Sequence, residues 1–294
     1  MKIVKMIVML LAFGAVLFAS EQRIEALGGN AGFWADDDLN IALFPHTINN
    51  WNIAQTDGAD FGVIWGDETK WGFSGGEAND LVNLYWGNGT YGAMFGLNMT
   101  PENTEVGTEA DAYNEFDFGF GMEFMGGETG LFYSMDNDES AFTFNWRNAF
   151  NFWLFENYIT TFNYVMPEAE GVDAEYIFTQ DFFTGIDIAE NTKGIFAMGF
   201  EYGNAGDGYG DYNMTFGVET AMNDWATLRA GFTKGYDLIN SVGYDVDAAF
   251  GLGFNYGGFL LDMNIGTDLF TNPVQKVVGF EALGATAFNI TYTW

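Results

Sequence analysis

The sequence predicts an all-β fold, a transmembrane antiparallel β-barrel of about 14 strands (12–16) with a short N-terminal plug-like segment. Three observations point there. Hydrophobicity alternates with a period of two through most of the chain. The two faces so produced differ in an unusual way, large aromatics and Met on one, Gly, Asn, Asp and Glu on the other. A net charge of −32 coexists with 18% aromatic residues and 48% hydrophobic ones.

That mixture excludes several classes. An acidic disordered chain lacks such an aromatic load. The negative field repels nucleic acid, so no nucleic-acid partner is expected. With no cysteine anywhere, disulfide scaffolds, thiol chemistry and a lipid-acceptor cysteine are absent too. The 294 residues suffice for one large closed sheet, which needs no disulfide staples.

Residues 1–20, "MKIVKMIVMLLAFGAVLFAS", have the layout of a secretory signal peptide: Lys2 and Lys5, an apolar run from Met6 to Phe18, then Ala19 and Ser20. Cleavage after Ala19 or after Ser20 fits, and export follows from either. Residues 21–55 do not alternate and form a segment of their own. Residues 56–294 make the barrel, without a further apolar run long enough for a helical span.

Within the barrel, Phe116, Phe118, Phe120, Met122 and Phe124 share one face, and Glu115, Asp117, Gly119, Gly121 and Glu123 the other. A turn follows at Gly126–Gly127. Further on, Tyr244, Val246, Ala248, Phe250, Leu252, Phe254 and Tyr256 oppose Asp245, Asp247, Ala249, Gly251, Gly253 and Asn255. After Gly257–Gly258, Phe259, Leu261, Met263 and Ile265 oppose Asp262, Asn264 and Asp268. Further strands start near Phe61, Leu81, Tyr91, Ala141, Ala174, Gly194, Asp211 and Ala226. A water-soluble sandwich would bury branched aliphatics and wet its polar face. Rings outside and small polar residues inside are the inverse arrangement of a barrel in lipid, where closure satisfies every backbone group. Trp65, Trp71, Tyr85, Trp86, Trp146, Trp153 and Trp225 fall where strands meet turns and suit two aromatic girdles. The strand number follows from allotting about 16–18 residues to each spanning strand with its share of connection.

The chain closes on "FNITYTW". Phe288, Ile290, Tyr292 and Trp294 make one face of a last strand, and this run resembles the terminal signature by which a barrel-assembly machinery recognises outer-membrane barrels. The family's usual final residue is Phe; here it is Trp. The segment "ALGGNAGFWADDDLNIALFPHTINN" resembles the N-terminus of the FadL/OmpP1/TodX-like (PorV-like) superfamily of outer-membrane proteins. Gly28, Gly29 and Gly32 match its small-residue run, and Ala35, Asp36 and Asp37 its Ala-Asp-Asp. Pro45 falls in its Asn-Pro element, with Phe44 in place of Asn. The resemblance implies that this segment enters the barrel as a plug and that hydrophobic compounds cross the outer membrane. The residues themselves read Asp36–Asp37–Asp38 as a turn and helix cap.

No enzymatic activity is expected. His46 is the single histidine, no cysteine partners it, and no serine stands in a nucleophile-elbow context. No cofactor is expected. Asp136, Asp138, Asp207 and Asp211 are weak calcium candidates in acidic loops without EF-hand spacing, better suited to nonspecific divalent cations. The phase of alternation points Glu115, Asp117, Glu123, Asp245, Asp247, Asp262 and Asp268 into the lumen, with Arg147 and Arg229 among them to pair with acids across it. An acid-lined pore concentrates cations. Three functions stay open: passage of small solutes, hydrophobic or cationic; a shut structural or surface-interaction barrel; and a PorV-like partner of a secretion system.

Overall fold

The structure is a computed structural model describing residues 21–57, 60–76, 81–100, 113–136, 139–168, 173–205, 208–265 and 287–294. Residues 1–20, with the expected signal peptide, and Asp138, Asp207 and Asp268 lie outside the described residues, as does the side chain of Asp245.

Sixteen strands close into one antiparallel barrel among the described residues. They are β1 (Ile53–Thr56), β2 (Phe61–Gly66), β3 (Lys70–Gly75), β4 (Val82–Gly87), β5 (Tyr91–Thr100), β6 (Tyr113–Phe124), β7 (Gly127–Met135) and β8 (Glu139–Phe152), then β9 (Phe155–Pro167), β10 (Glu175–Ala189), β11 (Thr192–Gly203), β12 (Tyr209–Asn223), β13 (Ala226–Asp237), β14 (Val242–Tyr256), β15 (Phe259–Ile265) and β16 (Phe288–Thr293). Each strand pairs with its neighbours in sequence, and β16 closes the cylinder against β1 through Ile53↔Thr293 to Thr56↔Ile290. The expected number was about 14, at 16–18 residues per strand. Sixteen fit because β1 to β4 hold only four to six residues each and one set of connections is only two or three residues long. At roughly 3.3 Å per residue the four residues of β1 climb about 13 Å, where a spanning strand uses about 9–11 residues. The wall is therefore low at β1–β4 and tall at β8–β14, whose strands run 12–15 residues.

The outward face is apolar as the alternation requires. Phe118, Phe120 and Phe124 in β6 and Phe288, Ile290 and Tyr292 in β16 are all exposed, while Gly119, Gly121 and Asn289 on the alternate positions are buried. Rings on the outer face pack against one another across strands at tilted angles, as Phe95 does on Phe118 (5.2 Å) and Phe259 on Tyr292 (4.6 Å). One phase expectation fails. The register between β13 and β14 slips between Lys234 and Tyr236, inserting an extra residue in β14. Beyond that bulge the faces exchange, so Tyr244 turns away from the outer set and its hydroxyl donates to the Asp211 carboxylate (3.0 Å).

The aromatic girdles divide by residue type. Trp65, Trp71, Trp86, Trp146, Trp153, Trp225 and Trp294 all lie near the rim where the tight turns and the C-terminus sit. Tyr133, Tyr164, Tyr176, Tyr202, Tyr212 and Tyr236 lie toward the opposite rim, on outward positions. Tyr85, expected in a girdle, instead faces inward, 3% exposed, within hydrogen-bond reach of the Ser74 hydroxyl.

Replacing Phe118 by Arg puts a charge on the lipid face midway along β6. Urea unfolding from phospholipid vesicles should show a loss of about 2–4 kcal/mol. The same change on the inward face, Asn98→Arg beside Glu115, should cost much less in the same assay.

Candidate functional site, a segment seated inside the barrel

Residues 21–51 occupy the bore. Helix α1 (Glu21–Ala26) packs against β13 to β16, and three 3₁₀ turns follow: η1 (Ala31–Phe33), η2 (Asp38–Ala42) and η3 (Pro45–Asn50), the last against β4 to β6. The local sequence explains the turns. The Asn30 side chain accepts from Gly32 N to start η1, Asp37 accepts from Leu39 N (3.0 Å) to cap η2, and Pro45 opens η3 with a nitrogen that has no proton to satisfy. Gly28 and Gly29 carry positive φ (104° and 84°), which bends the chain from α1 into η1.

An interior of small polar residues was expected. Where the segment docks, the inward positions instead hold Ile53, Ile64, Met94, Phe132, Ile159, Phe183 and Ile195, which form one core with Ile24, Leu27, Phe33, Trp34, Leu39, Ile41 and Ile48. Glycine gives the segment's backbone its seat. A Cβ at Gly92 or Gly121 would strike the Pro45–His46 backbone, and one at Gly231 would strike Leu27 and Gly28.

Two arginines, Arg147 and Arg23, tie the segment to the wall, and a third, Arg229, braces the wall beside them. Arg147 of β8 donates to Glu128, its register partner on β7 (2.6 Å), and reaches the segment at the Gly32 carbonyl (2.8 Å) and Asn40 Oδ1 (2.7 Å). Its guanidinium also lies 4.7 Å from the centre of the Phe44 ring. Asn40 in turn donates to the carbonyls of Trp34 and Asp37 (2.7 and 2.9 Å), so this one wall arginine orients both η1 and η2. Arg229 of β13 pairs with Glu219 of β12 (2.6 Å) and with Asp262 of β15. From the segment itself, Arg23 donates to Asp37 (2.5 Å) and Glu219 (3.1 Å), and Asp36 lies 3.6 Å away. The expected cross-lumen pairs are thus mostly pairs between adjacent strands, Arg229–Asp262 reaching one strand further.

The remaining predicted residues fall as follows. Glu115 accepts from Asn98 (2.8 Å). Asp117 shares that inward phase, Glu123 lies beside His46, and Asp247 is exposed. Asp37 is buried and Asp36 exposed, so the cap role falls to Asp37. Gly32 abuts the Ile159 side chain. Asp136 accepts from Glu139 N within its own turn (2.8 Å), and no group of three His, Cys, Asp or Glu placed to hold a metal ion occurs among the described residues. Phe288, Ile290 and Tyr292 face outward on the closing strand, and Trp294 N donates to the Asn52 carbonyl (3.3 Å). Sequence reasoning missed Arg23, Asn40, Glu128 and Glu219. Scarcity was the available signal for Arg23: the chain has only nine lysines and arginines, and a cation kept in so acidic a protein has partners.

Toward the long-connection rim, Glu115, Asp117, Glu175, Glu201, Asp211 and Asp237 occupy inward positions. Among the described residues no lysine or arginine does so there: Lys70 and Lys193 lie by the short-turn rim and Lys234 on an outward position. At the short-turn end, two adjoining cavities of about 680 and 460 Å³ remain between η1 and the wall.

A closed barrel whose outer face is apolar and girdled by Trp and Tyr is a membrane-spanning β-barrel of the outer-membrane type, since lipid-exposed strands must close on themselves. No family model and no curated protein matches the chain. Among solved structures it is similar to a triple mutant of the Rhodopseudomonas blastica porin, at 9% identity and a TM-score of 0.38, over 80% of this chain and 89% of that one. A double mutant of the same porin gives 10% identity and a TM-score of 0.37 over the same shares. At such values the class rests on the chain's own geometry.

Two outcomes follow for the seat. Arg147→Ala leaves Glu128, the Gly32 carbonyl and Asn40 Oδ1 unmatched, at a cost of about 3–5 kcal/mol. Hydrogen exchange should quicken across 31–51 while the strands stay protected. Burial pushes the His46 pKa below its ordinary value, although Glu128 and Glu123 pull the other way. His46 is therefore held neutral in the seated segment, so its contribution is present above the unfolded pKa of about 6.5 and is lost as pH falls through the lower folded value. Protease resistance of 31–51 should drop from pH 7.5 to pH 5, by less in His46→Gln.

Proposed function

We propose that this chain is an outer-membrane channel for small solutes, kept shut at rest by residues 21–51. One observation carries the proposal. The bore holds a segment that belongs to no strand and is held by side-chain ion pairs and close backbone approaches, with cavities left beside it. Such a closure can shift without breaking the barrel's hydrogen-bonded ladder.

In outer-membrane barrels, tight turns face the periplasm and longer connections the outside. Placed so, the segment sits at the periplasmic end, and the acidic stretch from Glu115 to Asp237 forms the outer vestibule. That charge favours cationic and neutral solutes over anions. The FadL-like N-terminal motif and the low wall at β1–β4 favour hydrophobic cargo instead. A barrel permanently shut is supported by the completeness of the fill: Ile41, Phe44 and Ile48 are fully buried. The outward aromatic face of β16 suits the closing strand to handling by a barrel-assembly machinery.

Planar-bilayer recording separates these readings. Wild-type protein should give rare, brief, cation-selective steps, and Arg23→Ala and Arg147→Ala should lengthen them and raise their frequency several-fold. If folded wild type and both variants stay silent, the channel reading is lost and the shut barrel stands.

A further inference from the structure

The two cavities beside η1 have a composition of their own. They share Phe33, Ala35, Glu156, Gly185 and Ile195, so together they form one recess between the segment and the strands from β6 to β13. Its floor is apolar: Phe33, Trp34, Phe183 and Ile195 present ring and aliphatic surface. Its mouth, at the short-turn rim, carries exposed Glu156, Asp187 and Glu190. Seven carboxylates line the recess against the three cations Arg23, Arg147 and Lys193. Two of those cations are already committed, Arg23 to Asp37 and Glu219 and Arg147 to Glu128.

We infer that this recess binds a small organic cation, an amine or quaternary ammonium group carried on an aromatic or aliphatic body. The apolar body lies on Phe33, Trp34 and Ile195, and the charged head stays at the mouth among Glu156, Asp187 and Glu190. A volume near 680 Å³ falls in the range of small-molecule sites, about 300–1,000 Å³, which pair an apolar lining with a few placed charges. The rings hold the apolar body by burial, and the carboxylate rim adds charge attraction for the head. An anion of the same shape meets the same floor but a repulsive mouth. The three mouth carboxylates hold none of the segment's ion pairs, so they are free to change without unseating it. The site does not depend on conduction, so it stands or falls apart from the channel reading.

Calorimetric titration of the full-length protein in detergent micelles with benzyltrimethylammonium tests it. Benzenesulfonate and benzyl alcohol serve as anionic and neutral counterparts. The cation should bind saturably to one site, more weakly as salt rises. The variant E156Q/D187N/E190Q should bind it about tenfold more weakly, the sum expected of three partly exposed ion pairs. Unchanged heat-shifted mobility on gels would show that the variant is folded. The inference is overturned if the cation gives no saturable heat, if the triple variant binds it equally well, or if benzyl alcohol binds as tightly as the cation.

Discussion

The structure depends on Arg147 and its partners. A guanidinium on the inner wall of a barrel must be matched by carboxylate or carbonyl oxygens, because little water reaches it. Glu128 supplies the charge from the neighbouring strand, and the Gly32 carbonyl with Asn40 Oδ1 supplies the rest from the N-terminal segment. Wall and segment therefore complete each other's hydrogen bonding. Without the segment, Arg147 would face an open bore with one partner; without Arg147, Asn40 would lose the contact that fixes η2 to the wall. Arg23 mirrors this from the other side, as a segment cation seated on the wall carboxylate Glu219, which Arg229 also holds.

Charge alone would not have placed the segment so closely. The inward glycines remove side chains where the backbone must approach, at Gly92 and Gly121 for η3 and at Gly231 for the turn after α1. Between these seats the wall supplies bulk, with Ile159, Phe132 and Phe183 meeting Leu39, Ile41 and Phe33. The Phe33 and Phe183 rings stand 5.1 Å apart. The result is a water-type hydrophobic core inside a barrel whose outside is also apolar. Shell and filling are each held by a hydrophobic contrast of their own, lipid outside and buried segment within.

Seating the segment toward one end leaves an asymmetric molecule. Among the described residues the long-connection end keeps its inward acids without inward cations, while the short-turn end gathers the segment, the arginines and most of the tryptophans. The wall is tall around β8–β14, where the recess lies, and low at β1–β4. Both features follow from strand length, which the local sequence sets through its turns.

The sequence by itself determined the class. Alternation of rings with Gly, Asn and Asp favours a closed sheet in lipid over a water-soluble sandwich, and the non-alternating stretch at 26–50 marked a separate segment. The inward sets at Glu115–Glu123 and Gly251–Gly253 were legible because a strand's period of two is local and needs no partner. Strand number was less so, since four- to six-residue strands carry too few alternations to count. Phase failed at Tyr244, because a bulge is a relation between two strands. The partners of Arg23, Arg147 and Asn40 were decided only in three dimensions. The contacts between segment and wall join residues more than a hundred positions apart, such as Arg147 to Asn40 and Arg23 to Glu219. Periodicity tells a residue which side to face; only closure of the barrel around the segment brings those sides together.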